Sequence, residues 1–257
     1  MVTLVRQEIF KLIHKKSTWA VSVVLLILMT IIAVMSHNEP NTFDPQTMYR
    51  QSFMALPWIN LFMIAASASI VAMEFQYGTI KELLYRKYYR GQIIVSKWLT
   101  MVLYSVYFFA LALVYSFVLK LILFSGTFQL DETYGAQHSV FAQTVYYSMT
   151  QFVALWLILS LVLLLANLFK SSAVAISIGI VGYFALSMIA AVLAILIKKW
   201  TWLKWNPLNM MNYPSQYLSP SLKALTLLST NELLIGSLVY TAIFLAITYF
   251  VFKRRNV

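Results

Sequence analysis

The sequence predicts an all-α integral membrane protein: six transmembrane helices, an N-terminal interfacial helix and one short charged helix on the cytoplasmic side. Three observations predict it. The 257 residues are 61% hydrophobic and 11% charged, with a mean hydropathy of +0.78, whereas about a quarter of a soluble domain is charged. Six apolar runs are each long enough to cross a hydrocarbon core of about 30 Å. The basic residues gather in alternate connections, the bias that orients membrane helices.

Residues 1–16 place Val2, Val5, Ile9, Leu12 and Ile13 on one helical face and Arg6, Gln7, Lys11, His14 and Lys15 on the other, a basic helix suited to the interface. The first span covers about 19–35 and shows no small-residue cleavage site. A polar loop with Asn38, Glu39, Pro40, Asp44 and Pro45 leads to a second span at about 52–73, with Pro57 and Asn60 in its first turns, where a kink costs least. The charged stretch 74–97 precedes a third span at about 98–124, near whose end Lys120 is expected to reach the headgroups. A loop with Asp131 and Glu132 then precedes spans four and five, at about 145–169 and 173–197, joined by a very short turn at Lys170, Ser171 and Ser172.

One long connection comes next, 198–232. Trp200, Trp202 and Trp205 stand beside Lys198, Lys199 and Lys204 as an interfacial collar, and Pro207, Pro214 and Pro220 argue against another full span while leaving re-entrant helices open. The sixth span, about 233–252, ends in Lys253, Arg254 and Arg255. With no internal repeat and no soluble segment, residues 1–257 read as one transmembrane domain.

Thirteen of the nineteen Lys and Arg lie in the N-terminal helix, the 74–97 stretch, Lys170 and the C-terminal tail, whereas the two short outer loops hold Arg50 alone against Glu39, Asp44, Asp131 and Glu132. Both termini are therefore expected on the cytoplasmic side of a cell membrane. The four lysines of the 198–232 connection run against this bias. A net charge of +11 distributed in this way belongs to membrane-facing loops, not to nucleic-acid binding.

Catalytic chemistry has little to work with. The chain has no cysteine, its three histidines are isolated, and neither HExxH, GxSxG nor GxxxxGK[ST] occurs. No metal site and no enzyme activity are expected, and any ATP must bind elsewhere.

The charge concentrates in 74–97. Gly78 interrupts the apolar run, and Thr79 with Glu82 three residues on has the spacing of a capping box. Ile80, Leu83 and Leu84 form an apolar stripe, Arg86, Lys87 and Arg90 stand at the cationic end, and Gly91 is placed where a C′ glycine would end the helix. Residues 78–91 thus predict a short amphipathic helix that needs a surface, either a groove in a partner or anionic headgroups. Glu74 has two open readings: a marker of the membrane boundary, or a partner for Arg90 or Lys97 that stiffens the loop.

Glu74, Gly78, Thr79, Ile80, Lys81, Leu84, Arg90 and Lys97, spaced E-x3-GTIK-x2-L-x5-R-x6-K after the second of six spans, resemble the first cytoplasmic loop of ABC-2 type transporter permeases of the bacterial peptide and drug exporter class. Leu4 to Lys16, LVRQEIFKLIHKK, resembles that family's elbow helix. The resemblance implies a permease subunit paired with itself or a paralogue in the bacterial plasma membrane, with separate ABC ATPase subunits that bind ATP and Mg. It also implies that 78–91 is a coupling helix, with Glu74, Gly78, Thr79, Ile80, Leu83, Leu84, Arg86, Arg90 and Lys97 as the ATPase-coupling residues.

Within the spans, Asn60, Ser67 and Ser69 in the second and Tyr104, Tyr107 and Tyr115 along one face of the third are the candidate pathway residues, although a tyrosine stripe serves packing equally well. The expected function is export of an amphipathic or apolar substrate, a cytotoxic or antimicrobial-type peptide first, a lipid-like drug second and a glycan third. The alternative is a non-transporting anchor or sensor that recruits a cytosolic partner through the 74–97 loop.

Overall fold

A computed structural model describes residues 2–79, 88–131, 133, 138–169 and 171–254. The N-terminal segment forms α1 (Val2–His14), followed by α2 (Lys16–Asn38), α3 (Pro45–Arg50), α4 (Ala55–Gln76), α5 (Arg90–Leu123), α6 (Val140–Ala166) and α7 (Ser172–Lys199). Three short helices, α8 (Pro207–Met210), α9 (Tyr213–Leu218) and α10 (Lys223–Thr226), precede the last, α11 (Thr230–Arg254). With α3 and α4 taken together, six of these segments are long and apolar enough to cross a membrane, and each expected run overlaps one of them. The protein is an all-α, multi-pass membrane protein.

Two starts differ from expectation. The third span's helix begins at Arg90 and not near 98, because Ile93 and Ile94 are buried and Gln92 turns back to accept the Tyr89 backbone N–H at 3.2 Å. The second begins at Ala55 because Ser52, Phe53 and Met54, at φ +51°, +47° and +58°, make a left-handed turn first. Left-handed backbone costs a residue with a side chain roughly 1–2 kcal/mol. The offset is visible in the packing: Phe53 is buried, stacked on Phe124 at 5.9 Å and edge-on to Tyr49 at 6.3 Å.

The chain divides into two compact units. The one formed by residues 9–62 and 103–152 is organised by a polar seam. The Tyr104 hydroxyl donates to Thr18 Oγ1 at 3.2 Å, and the Tyr107 and Tyr115 hydroxyls bond those of Ser22 and Thr30 at 3.1 and 2.7 Å. The near-constant spacing of these pairs means that α2 and α5 run parallel and in register here. Beyond the seam lie Tyr49, Phe53, Phe124 and Phe128, with the Lys120 ammonium 5.7 Å from the Phe128 ring centre. Lys120, expected to reach the headgroups, is only 8% exposed.

The other unit comprises residues 1–8, 63–102 and 153–257. Its 198–232 connection is a broken, folded-back segment. A 3-10 turn at Thr201–Trp205 leads into α8, whose Met210 packs with Leu157, Leu228 and Leu233. Gly236 faces it closely: a Cβ there would overlap the Met210 thioether, which would have to move. The backbone groups that such breaks set free must be satisfied locally, and side-chain amides do this. Asn209 Nδ2 donates to the carbonyls of Lys204 and Thr226 at 2.7 and 2.9 Å, Gln216 Nε2 donates to Leu228 O at 2.9 Å, and Asn206 Oδ1 caps α8. Then α11 starts on a reciprocal box: the Ser229 N–H donates to Glu232 Oε2 at 2.6 Å and the Glu232 N–H to Ser229 Oγ at 3.2 Å.

Candidate functional site

The charged residues at the base of the 74–97 loop converge inside the unit of residues 1–8, 63–102 and 153–257. As α4 nears its end it carries Glu74 inward, α5 brings Lys97 from its second turn, and α1 contributes Glu8. Lys97 Nζ donates to Glu74 Oε1 at 3.0 Å and to Glu8 Oε2 at 3.3 Å. Lys97 is 1% exposed, Glu8 6% and Glu74 7%. The Thr79 hydroxyl donates to the second oxygen of Glu74. Each of three helices therefore contributes one charge to a single buried hub.

Burying ions is costly unless the pairing is close and the remaining lone pairs are used, and both conditions hold around Glu74. The hub ties the end of α4 to the early turns of α5. Gly78 then turns the chain away at φ +69°, a conformation that glycine adopts without penalty. Neighbouring contacts tie the same region to the rest of the unit. Gln76 Oε1 accepts from Ser172 N and Oγ at 2.9 and 2.6 Å, anchoring the start of α7. Arg90 Nη1 donates to Lys253 O at 3.3 Å, near the end of α11, and Phe75 meets Phe252 edge-on at 5.9 Å.

Of the coupling residues expected from sequence, the structure brings Glu74, Thr79 and Lys97 into direct contact, with Gly78 adjoining them and Arg90 opening α5. Between the two readings of Glu74, the structure has it paired with Lys97. Ile80, Leu83, Leu84 and Arg86 lie outside the described residues, as does Glu82, the expected capping partner of Thr79. Gly91 is a correction. Expected to end the 78–91 helix in left-handed geometry, it is the second residue of α5, and what requires glycine is proximity: a Cβ would sit 2.5 Å from the Tyr249 hydroxyl.

The candidate pathway residues fall into two groups. Tyr104, Tyr107 and Tyr115 each spend their hydroxyl on α2 in the polar seam. Asn60, Ser67 and Ser69 are buried in α4. Ser69 donates to Ala66 O at 2.9 Å, whereas Asn60 Oδ1 and Ser67 Oγ have no hydrogen-bond partner among the described residues.

Sequence reasoning missed Glu8. The available signal was its sign, the one carboxylate in a helix otherwise carrying Arg6, Lys11 and His14. It also missed Asn206, Asn209 and Gln216, whose clustering with prolines in a segment between two spans marks a backbone that must satisfy itself.

Fold and site together define a polytopic membrane protein whose buried charges brace the base of a loop and form no catalytic constellation among the described residues. The chain belongs to the ABC-2 family of transporter proteins: that family's sequence profile matches residues 4–187, which include Glu8, Glu74 and Lys97. It is also similar to the uncharacterized protein YhcI of Bacillus subtilis (strain 168), with 28% identity over 212 residues, 77% of this chain and 64% of that protein. The chain thus spans under two thirds of that relative's length.

Proposed function

We propose that this protein is the membrane-spanning subunit of an ATP-driven exporter in the bacterial plasma membrane, with both termini in the cytoplasm. It pairs with a second permease, identical or paralogous, and with separate ABC ATPase subunits that bind ATP and Mg. The observation that carries this reading is the Glu8–Lys97–Glu74 hub. A loop that converts ATPase movement into helix movement needs a stiff base, and three helices sharing one buried ammonium supply it. Residues 78–91 act as the coupling element, with Ile80, Leu83 and Leu84 against a groove of the ATPase and Arg86 at its rim. Gly78 makes the left-handed turn that leads into it, and Arg90 joins the loop to α5.

The cargo is amphipathic or apolar, a cytotoxic or antimicrobial-type peptide first. Support comes from the scarcity of charge inside the spans and from Asn60 and Ser67, whose buried oxygens are free to meet a polar group in transit. Replacing Leu83 and Leu84 with Asp and purifying the complex tests the coupling assignment. The ATPase is expected to be lost while the permease remains folded, and unchanged co-purification would overturn it. Reconstituted vesicles test the cargo: ATP-dependent movement of ions, with peptides and drugs unaffected, would refute the ranking.

A further inference from the structure

The last helix, α11, is held at its two ends and bare between them. Its buried residues are Leu233, Gly236 and Ser237 near the start and Thr248 and Phe252 near the finish, and no residue from 238 to 247 is buried. Leu238, Val239, Ile243 and Ile247 stand exposed along that stretch, while Tyr240 and Phe244, partly buried, pack against the Met210 cluster. Beyond Ser237 the helix contains neither proline nor glycine, the residues at which helices kink. From Ser237 to Thr248 it rises about 17 Å.

The finish of α11 is fastened to both flanks of the 74–97 loop. Phe252 meets Phe75 of α4 edge-on. On the α5 side, Arg90 Nη1 donates to the Lys253 carbonyl at 3.3 Å and Gly91 leaves room for the Tyr249 ring. The start of α11 is fastened to the folded-back segment: Leu233 packs with Met210 and Leu228, and the Tyr240 hydroxyl donates to the Trp205 carbonyl at 2.6 Å. Helix α7 also runs between the two regions, and its tie to the loop base is the exposed Gln76–Ser172 contact with α4. A shift in the spacing of α4 and α5 acts on α11 from both sides. A helix without buried residues in its middle passes that displacement to its other end, because few neighbours are there to absorb it.

We propose that α11 is a strut that couples the base of the 74–97 loop to the folded-back segment, with Phe252, Tyr249 and Arg90 as one joint and Tyr240, Leu233 and Met210 as the other. The coupling belongs to the resting protein; that ATP-driven movement travels along it rests on the exporter reading given under the proposed function. Because such coupling is reciprocal, loosening either joint loosens the other.

Hydrogen–deuterium exchange of the purified chain in lipid nanodiscs, read by mass spectrometry without nucleotide, tests the strut. Phe252→Leu is expected to speed exchange of the 206–218 amides several-fold, and Tyr240→Phe to speed that of 90–95. Gln76→Ala, which loosens α7 instead, is expected to leave 206–218 at the wild-type rate. Unchanged exchange at 206–218 in Phe252→Leu, a rise of the same size in every span, or an equal rise in Gln76→Ala would overturn the strut. Adding the ATPase with ATP and vanadate separates the strut from the exporter reading. Exchange at 206–218 is expected to respond in wild type and not in Phe252→Leu, whereas no response in either protein would overturn ATP-driven transmission and leave the resting coupling standing.

Discussion

The Lys97 ammonium lies 3.0 Å from Glu74 and also 3.3 Å from Glu8, so the contact that joins α4 to α5 is the one that secures the N-terminal helix. The N-terminal helix α1 and the loop base are consequently not independent elements, and perturbing one residue reports on both.

Lys97→Met removes the ammonium from two buried carboxylates at once. Truncating one side of a buried pair costs about 3–5 kcal/mol, so the variant is expected to melt well below wild type in detergent. The triple variant E8Q/E74Q/K97M, with no formal charge left in the hub, is expected to recover much of that loss. A wild-type melting temperature for K97M would remove the hub from the account of stability.

Gly78 has open space around its Cβ position, so its constraint is conformational. Gly78→Val at φ +69° is expected to cost about 1–2 kcal/mol or to shift the turn, separating ATP hydrolysis from transport in reconstituted vesicles. Gly78→Asn, which tolerates left-handed backbone, is expected to stay coupled. Equal coupling in both variants would mean that this backbone geometry is not needed.

Gly91 presents the opposite case, a shortage of space without unusual backbone. Gly91→Ala is expected to destabilise by about 1–3 kcal/mol through collision with Tyr249, and Tyr249→Leu in the same chain to relieve most of it. Additive losses in a thermal-shift double-mutant cycle would refute the close approach.

Thr30 and Tyr115 share a hydrogen bond of 2.7 Å within the α2–α5 seam. A cycle between Thr30→Val and Tyr115→Phe is expected to return a coupling of about 0.6 kcal/mol, the average for such bonds between membrane helices. Y104F/Y107F separates the two uses of the tyrosines: a lower melting temperature with normal export marks a seam, and altered export at unchanged stability marks a route for cargo.

Gly236→Ala should force the buried Met210 side chain to repack, at a cost of up to about 1–3 kcal/mol, with Met210→Ala as the compensating change. A thermal-shift double-mutant cycle reads the coupling of the two positions, and normal stability of Gly236→Ala would count against the contact.

The helices were legible because length and hydropathy are local properties, and so was the family, from the spacing of Glu74, Gly78, Thr79 and Lys97. The capping box that starts α11 could have been read as well, since Ser229 and Glu232 have the required spacing. Long-range relations were not legible. Nothing near Gly91 in sequence announces Tyr249, and no periodicity separates a left-handed turn at Ser52–Met54 from the first turn of a helix. Charge was legible in part: the pairing of Lys97 with Glu74 was one of two open readings, whereas its second partner, Glu8, lies 89 residues away and no local pattern announces it.

The folded-back segment leans on the last helix of the chain. Met210 packs against Leu233 and Gly236, and Trp205 is held by Tyr240, all contributed by α11. During synthesis the segment therefore leaves the ribosome before its docking surface exists. Insertion of α11 is then the step that supplies the partners of Met210 and Trp205, and a nascent chain halted before residue 230 would hold the acceptors of Asn209 and Gln216 but neither Leu233 nor Tyr240.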